Sequence, residues 1–252
     1  MRVQEDNVLR GQILEAIAQG MEDDGPPRPE GIHVSDLLFC LRKAVVRRFQ
    51  PDPISPQRTL LFAMGRGMQA YLSRASQDEP PMVLDGIWGT VDQLQTGVPA
   101  LPLEYKATFS HPGWGPSAHY FQQLASYCKM QGVLEGALVL FYVDGYRAFP
   151  KPKGFTPPEG PKGTDRPVLL VYRVAFSQDD LDNWWWEMLQ RKNVLENALE
   201  EAAPLTLQQR VELVPLTEHW TWECQACPLG GLCLGGLGTY EQRRFGYDRD
   251  VG

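Results

Sequence analysis

The chain of 252 residues carries 31 acidic and 24 basic side chains, a formal charge of -7, and 43% of its residues are apolar. That is ample for a packed core, while the negative balance excludes a protein that holds nucleic acid through a general basic surface; any polyanion site has to be local or built with metal. No run of about 18 apolar residues offers a membrane span, and Glu5, Asp6 and Arg10 stand where a secretory apolar region would lie, so a soluble, cytoplasmic protein is expected.

Val8, Leu9, Gln12, Ile13, Ala16, Ile17 and Gly20 recur at helical spacing and predict an amphipathic helix over 8–21, followed by a breaker-rich loop from Asp23 to Gly31. Ser35 is a good N-cap, and one helix is expected from there through LLFCLRKAVVRRF. It carries Cys40 and the basic cluster Arg42, Lys43, Arg47 and Arg48, a local positive patch suited to DNA phosphates. Pro51, Pro53 and Pro56 end it, and a further helix is expected over Arg58 to Ala75, with Gly65 and Gly67 near its middle.

MVLDGIWGTVDQLQ, from Met82, reads as a strand, a bend and a second strand that delivers Asp92 to an edge position. LPLEYKAT, Leu101 to Thr108, is the next strand. Side chains alternate along it, so Glu104 and Lys106 share a face. A carboxylate able to hold a divalent ion, beside a lysine able to orient water or stabilise charge on a phosphoryl group, is the minimum for metal-assisted hydrolysis. Asp92 lies twelve residues before Glu104. Two antiparallel strands joined by the Gly97 to Pro99 turn would close the two carboxylates into one metal site.

AHYFQQLASYCKMQG predicts a helix that places Gln123 and Tyr127 on one face at i, i+4, where they serve a substrate phosphate or a metal's water, or else Tyr127 is ordinary core. Cys128 beside them reads as buried and inert. GALVLFYVDG and RPVLLVYRVAF both read as apolar strands of the buried kind, separated by a loop over Tyr146 to Pro167 rich in Pro, Gly and Lys. Ser177 and Asp180 make a capping box for a helix reaching about Ala203. Trp184, Trp185 and Trp186 on that helix cannot share one core, so at least one faces a second layer, a partner or a base.

Three of the five cysteines crowd the C-terminal stretch as C-x2-C-x5-C: Cys224, Cys227 and Cys233. Thiolates at this spacing in a reducing compartment fit a shared metal, which needs a fourth ligand. His219 would complete a zinc site, and Cys40 would complete an all-cysteine cluster. Spacing leaves both open.

Taken together, Cys40 in SDLLFCLRK, then GRGMQAYL, GTVDQL, EYK, Q-x3-Y and the terminal cysteines resemble, in order and spacing from about residue 33 to 235, the RecB-type PD-(D/E)XK nucleases with an iron-sulfur cluster. The CRISPR-associated exonucleases of the Cas-four type are the family matched best. The resemblance implies an α/β fold with a restriction-endonuclease-like core, a mixed central sheet flanked by helices. It implies one nuclease domain over 1–252, with a helical part over 1–80, the core over 81–203 and a cluster-binding segment over 204–252. Asp92, Glu104 and the Tyr105 carbonyl would bind Mg or Mn, Lys106 would be the active-site lysine, and Gln123 and Tyr127 would assist. Cys40, Cys224, Cys227 and Cys233 would hold a 4Fe-4S cluster. The implied partners are single-stranded DNA or DNA with overhangs, and an integrase of the CRISPR system.

The sequence departs from the family at one point. A histidine usually follows a glycine by four residues in the helix before the acidic motif, and here Gln69 stands at that distance from Gly65, an oxygen donor suited to Mg or Mn rather than an imidazole. His33, His111 and His119 are the residues that would have to substitute for it in space. A stand-alone repair or phage recombination nuclease fits the same motifs. Gln69 and the negative charge also fit a catalytically silent iron-sulfur adaptor that binds DNA, and the cysteines alone fit a zinc ribbon on an unrelated α/β domain.

Overall fold

The structure is a computed structural model and describes residues 30–50, 59–60, 62–65, 67–68, 80–95, 97, 100–145 and 167–215, with residues 12, 227, 229 and 233. The helix expected over 8–21, most of that over 58–75, Gln69, the loop between Tyr146 and Pro167, His219 and Cys224 lie outside the described residues. In chain order the elements are β1 (Ile32–His33), α1 (Val34–Leu38), α2 (Leu41–Phe49), β2 (Met82–Leu84), β3 (Ile87–Gly89), β4 (Gln93–Gln95), β5 (Leu101–Thr108), a 3-10 turn (Pro112–Trp114), α3 (Ala118–Gln131), β6 (Glu135–Tyr142), β7 (Val168–Ala175), α4 (Gln178–Ala202) and α5 (Leu207–Glu212). Two compact units divide the chain: Met1–Gly31, Ile54–Leu84 and Trp88–Trp184 form the first, and Ile32–Pro53, Asp85–Ile87 and Trp185–Gly252 the second.

A four-stranded sheet ordered β4-β5-β6-β7 is the frame of the first unit. β4 and β5 run antiparallel, with Gln93 opposite Leu103 and Gln95 opposite Leu101. β5 and β6 run parallel, which a chain achieves only through a crossover, and α3 is that crossover. β7 returns antiparallel to β6. This is the mixed α/β architecture expected, a mixed sheet with helices packed on it. α3 ends where Gly132 takes a left-handed conformation (φ 68°), and the Val133 N–H caps the Cys128 carbonyl at 3.0 Å.

Pleating divides the sheet into two faces. Leu138, Leu140 and Tyr142 of β6 are fully buried with Leu124, Ala125 and Cys128 of α3 and Leu181 of α4, while Leu170 and Tyr172 of β7 pack at the margin of this core. The register puts Glu104 opposite Leu138 and Lys106 opposite Leu140, so the E-x-K pair belongs to this same face. The other face, with Gln93, Leu103, Tyr105, Val139, Val171 and Arg173, lines a groove of about 430 Å³. RPVLLVYRVAF is therefore not a buried strand as its apolar run suggested. β7 is an edge, its burial alternates, and Leu169 and Val171 are half or more exposed.

Ser177 and Asp180 form the capping box of α4: the Ser177 N–H donates to Asp180 Oδ2 at 2.9 Å and the Asp180 N–H to Ser177 Oγ at 3.1 Å. Its three tryptophans part company as geometry requires. Trp184 packs on the sheet core and donates Nε1–H to Ser126 Oγ (2.9 Å), Trp185 is buried and donates to Asp85 Oδ2 (2.8 Å), and Trp186 stays exposed.

In the second unit the single helix expected from Ser35 is two helices. His33, extended at φ -103°, is the first N-cap, and its N–H donates to Asp36 Oδ2 at 3.0 Å, so Ser35 falls inside the first turn. Phe39 and Cys40 are extended, and Cys40 caps α2. The break is paid for by a tertiary partner: Arg191 of α4 donates Nε–H to the Leu37 carbonyl and Nη2–H to the Phe39 carbonyl. Val46 of α2, Val211 of α5 and Leu229 form the buried centre here, with Leu207, Cys227 and Cys233 packed against it.

Gly136 opens β6 where α3 comes closest. A Cβ there would meet Leu124 Cδ1 at 2.7 Å and Cys128 Sγ at 3.0 Å. Gly136→Ala is expected to lower stability by about 1–3 kcal/mol, measured as a lower urea midpoint at unchanged slope; an unaltered midpoint would show that α3 yields without cost.

Candidate active site

Antiparallel pairing of β4 with β5 sets the residue before β4 beside the middle of β5. Asp92 is that residue, and its Oδ2 accepts the Tyr105 N–H at 2.7 Å. Its carboxylate charge acts on Glu104, Tyr105 and Lys106 together. The twelve-residue separation is thus closed by the hairpin as expected. Tyr105, on the opposite face, donates its hydroxyl to Gln93 Oε1 and fastens the two strands once more.

Glu104 is completely buried, a costly place for a carboxylate. The Lys106 ammonium makes an ion pair with Oε1, yet neither oxygen accepts a hydrogen bond of good geometry among the described residues. Burial pushes the Glu104 carboxyl up to about 8; the Lys106 charge pulls against this and the Asp92 charge adds to it. Burial alone would lower Lys106, but Glu104 and Asp92 outweigh it and hold the ammonium above its usual range.

Lys106 has further neighbours that its sequence motif does not announce. Tyr120, on the first turns of α3, turns its ring toward the ammonium at 5.9 Å, inside the range of a cation–π contact. Burial raises the Tyr120 phenol, against the Lys106 charge and a hydrogen bond with Thr108. His119 is held below its usual range by burial and by the Lys106 charge, which keeps its imidazole neutral near pH 7. The signal for both was their place at the start of the helix that crosses over from β5.

Gln123 and Tyr127 meet one turn further along α3, where Gln123 Nε2 donates to the Tyr127 hydroxyl at 2.9 Å. Tyr127 is buried, so its ring is core while its hydroxyl is held by Gln123. Of the histidines considered in place of Gln69, His111 is buried and accepts the Gly113 N–H at Nδ1 (3.0 Å), His33 is the N-cap in the second unit, and His119 is the one within electrostatic reach of Lys106.

No group of three or more His, Cys, Asp or Glu side chains among the described residues is arranged to hold a metal ion. What the first unit offers is a pair of carboxylates, one of them buried with both oxygens lacking hydrogen bonds. That donor set fits a hard divalent cation, which takes carboxylate, carbonyl and water oxygens.

The described cysteines fall into two environments, one in each unit. Cys128 in the sheet core is fully buried and its thiol is pushed up to about 12, the inert role expected. Cys40, Cys227 and Cys233 belong to the second unit, and none is disulfide-bonded. Burial raises the Cys227 thiol; a hydrogen bond from the Leu229 backbone and the Lys43 charge lower it, and Cys233 and Cys40 raise it further. Cys40 and Cys233, from the two ends of the chain, thus both stand within electrostatic reach of Cys227.

Of the basic cluster on α2, Arg42 donates Nε–H to the Val214 carbonyl at 2.7 Å and Arg48 pairs with Asp36 at 3.1 Å. Lys43 lies near Cys227, and Arg47 is exposed. Arg42 and Arg48 thus have structural partners.

No protein-family model matches this chain, and no curated protein matches it. Among solved structures the chain is similar in fold to the crystal structure of SSO0001, with a TM-score of 0.54 at 15% identity over 91% of this chain and 98% of that one. A slighter likeness, TM-score 0.40 at 12% identity over 68% of this chain and 90% of that one, is to an alkaline exonuclease (LHK-Exo) from Laribacter hongkongensis, and the complex of LHK-Exo with dAMP gives 0.39. The first likeness speaks for the fold alone, and the slighter ones carry no argument about activity.

Because the folded chain binds the Glu104 proton more tightly than the unfolded chain, this group favours the fold fully below its ordinary 4.5, and the contribution is lost as the pH rises through about 8. Glu104→Gln removes that dependence. In metal-free buffer the variant should gain on the wild type between pH 5 and 9 in urea titrations; parallel pH profiles would contradict the burial argument.

Proposed function

We propose that this chain is a metal-dependent DNA nuclease. One observation carries the reading: Glu104 is fully buried with the Lys106 ammonium of the same strand as its ion-pair partner, and Asp92 is bound to the next backbone N–H. A buried ion pair is costly to keep, and groups perturbed in this way cluster at functional sites.

Asp92, Glu104 and the Tyr105 carbonyl are the groups that would hold Mg or Mn. The ion would supply Lewis acidity toward the scissile phosphate and the attacking water. The Lys106 ammonium stands beside Glu104, where it can orient the nucleophile and offset charge growing on the phosphoryl oxygens. Tyr120 and Thr108 fix the lysine's surroundings, and the Gln123 amide, tied to Tyr127, presents a polar edge for substrate. Gln69 would add an oxygen donor.

The substrate proposed is single-stranded DNA or DNA with overhangs, cut as an exonuclease with endonucleolytic cleavage in addition. The setting we favour is the trimming of spacer precursors with an integrase partner in CRISPR adaptation, in the cytoplasm; a stand-alone repair or phage recombination role uses the same chemistry. Cys40, Cys224, Cys227 and Cys233 would hold a 4Fe-4S cluster with a structural role, joining the two ends of the chain. The proximity of Cys40, Cys227 and Cys233 supports it.

The test uses anaerobically prepared protein with Mn or Mg and labelled single-stranded DNA. The wild type should contain about four irons per chain and cut the DNA only with the cation. Glu104→Ala and Lys106→Ala should each lose roughly 100-fold or more in rate with iron retained, and Cys40→Ala should lose the iron. Iron-loaded protein that cuts nothing would favour the silent adaptor, and a colourless zinc protein indifferent to Cys40 would remove the cluster.

A further inference from the structure

The two short helices at the start of the second unit leave a problem that a distant side chain solves. Leu37 and Phe39 sit at the C-terminal end of α1, where carbonyls have no partner within the helix. Both carbonyls are met by Arg191, from a point more than 150 residues away on α4, through Nε and Nη2. A planar guanidinium can take two acceptors in one fixed geometry, and a lysine in its place can take only one direction at a time. The next residue after this grip is Cys40. Its backbone is extended at φ -62° and ψ 115°, which turns the chain out of α1 and starts α2.

The cysteine at this break belongs to the same unit as Cys227 and Cys233, which pack on Val46, further along α2. A second arginine secures the other side: Arg42, two residues beyond Cys40, donates to the carbonyl of Val214, the stretch that leads toward the C-terminal cysteines. Had the sequence run on as one helix through SDLLFCLRK, Cys40 would be an interior helical residue with its side chain direction set by the helix. The interruption frees it from that direction.

We infer that Arg191 is a positioning residue for Cys40: by holding the Leu37 and Phe39 carbonyls it keeps the α1–α2 break open and sets the Cys40 thiol beside Cys227 and Cys233. The inference deepens the cluster reading above, since the thiols so gathered are its ligands, but the juxtaposition itself requires no metal. Arg191 meets the break through these two backbone carbonyls, one of them on the residue before Cys40.

The metal-free full-length chain, reduced and then treated with dibromobimane, which bridges neighbouring thiols, tests this by peptide mapping. The wild type should give Cys40 cross-links to the C-terminal cysteines as well as a Cys227–Cys233 cross-link. In Arg191→Met the Cys40 links should fall about tenfold, in Arg191→Lys by less, while the Cys227–Cys233 link, which does not pass through the break, stays as in the wild type. The lysine variant carries the test should the methionine variant fail to fold. Cys40 links that persist in Arg191→Met, links absent from the wild type, or a loss of all links together would each overturn the inference. A wild type that shows the expected links but takes up no iron would leave Arg191 in its role and remove the cluster reading instead.

Discussion

The ion pair between Glu104 and Lys106, buried on the helix-covered face of the sheet, is the constraint around which the first unit is arranged. Two charges taken out of water are costly even when they meet. Burial raises the Glu104 carboxyl, and the Lys106 ammonium pulls against it. Asp92, just before the adjoining strand, and Tyr120 of the crossover helix act on the pair, and the Lys106 charge in turn holds His119 low.

The fold supplies this arrangement through simple geometry. Pleating puts Glu104 and Lys106 on one face, the hairpin brings Asp92 level with them, and the parallel neighbour β6 walls them with Leu138 and Leu140. A parallel pair needs a crossover, and the helix that provides it carries Tyr120, Gln123 and Tyr127 over the same face. The residues of the E-x-K strand that point the other way do mechanical work, as Tyr105 does with Gln93.

Much of this was legible in the sequence because it follows from local periods. The alternation in LPLEYKAT, the Gly132 stop of α3 and the Ser177–Asp180 cap each declare themselves within a few residues, and the structure agrees with them. What failed was set at long range. SDLLFCLRKAVVRRF has helical pattern throughout, and its break depends on Arg191, over 150 positions away. RPVLLVYRVAF has the composition of a buried strand, yet its exposure is decided by its place at the sheet edge, which no window of residues contains. Tyr120 and His119 escaped notice for the same reason, since only the crossover brings the start of α3 to Lys106.

The central claim is that the buried carboxylate is half of a cation site. Calorimetric titration of the metal-free chain with Mn at pH 7, in two buffers of different ionisation enthalpy, tests it directly. The account predicts that binding releases protons, because burial raises the Glu104 carboxyl, and that Glu104→Ala abolishes both the release and the tight binding. Manganese bound without proton release and indifferent to Glu104 would contradict it.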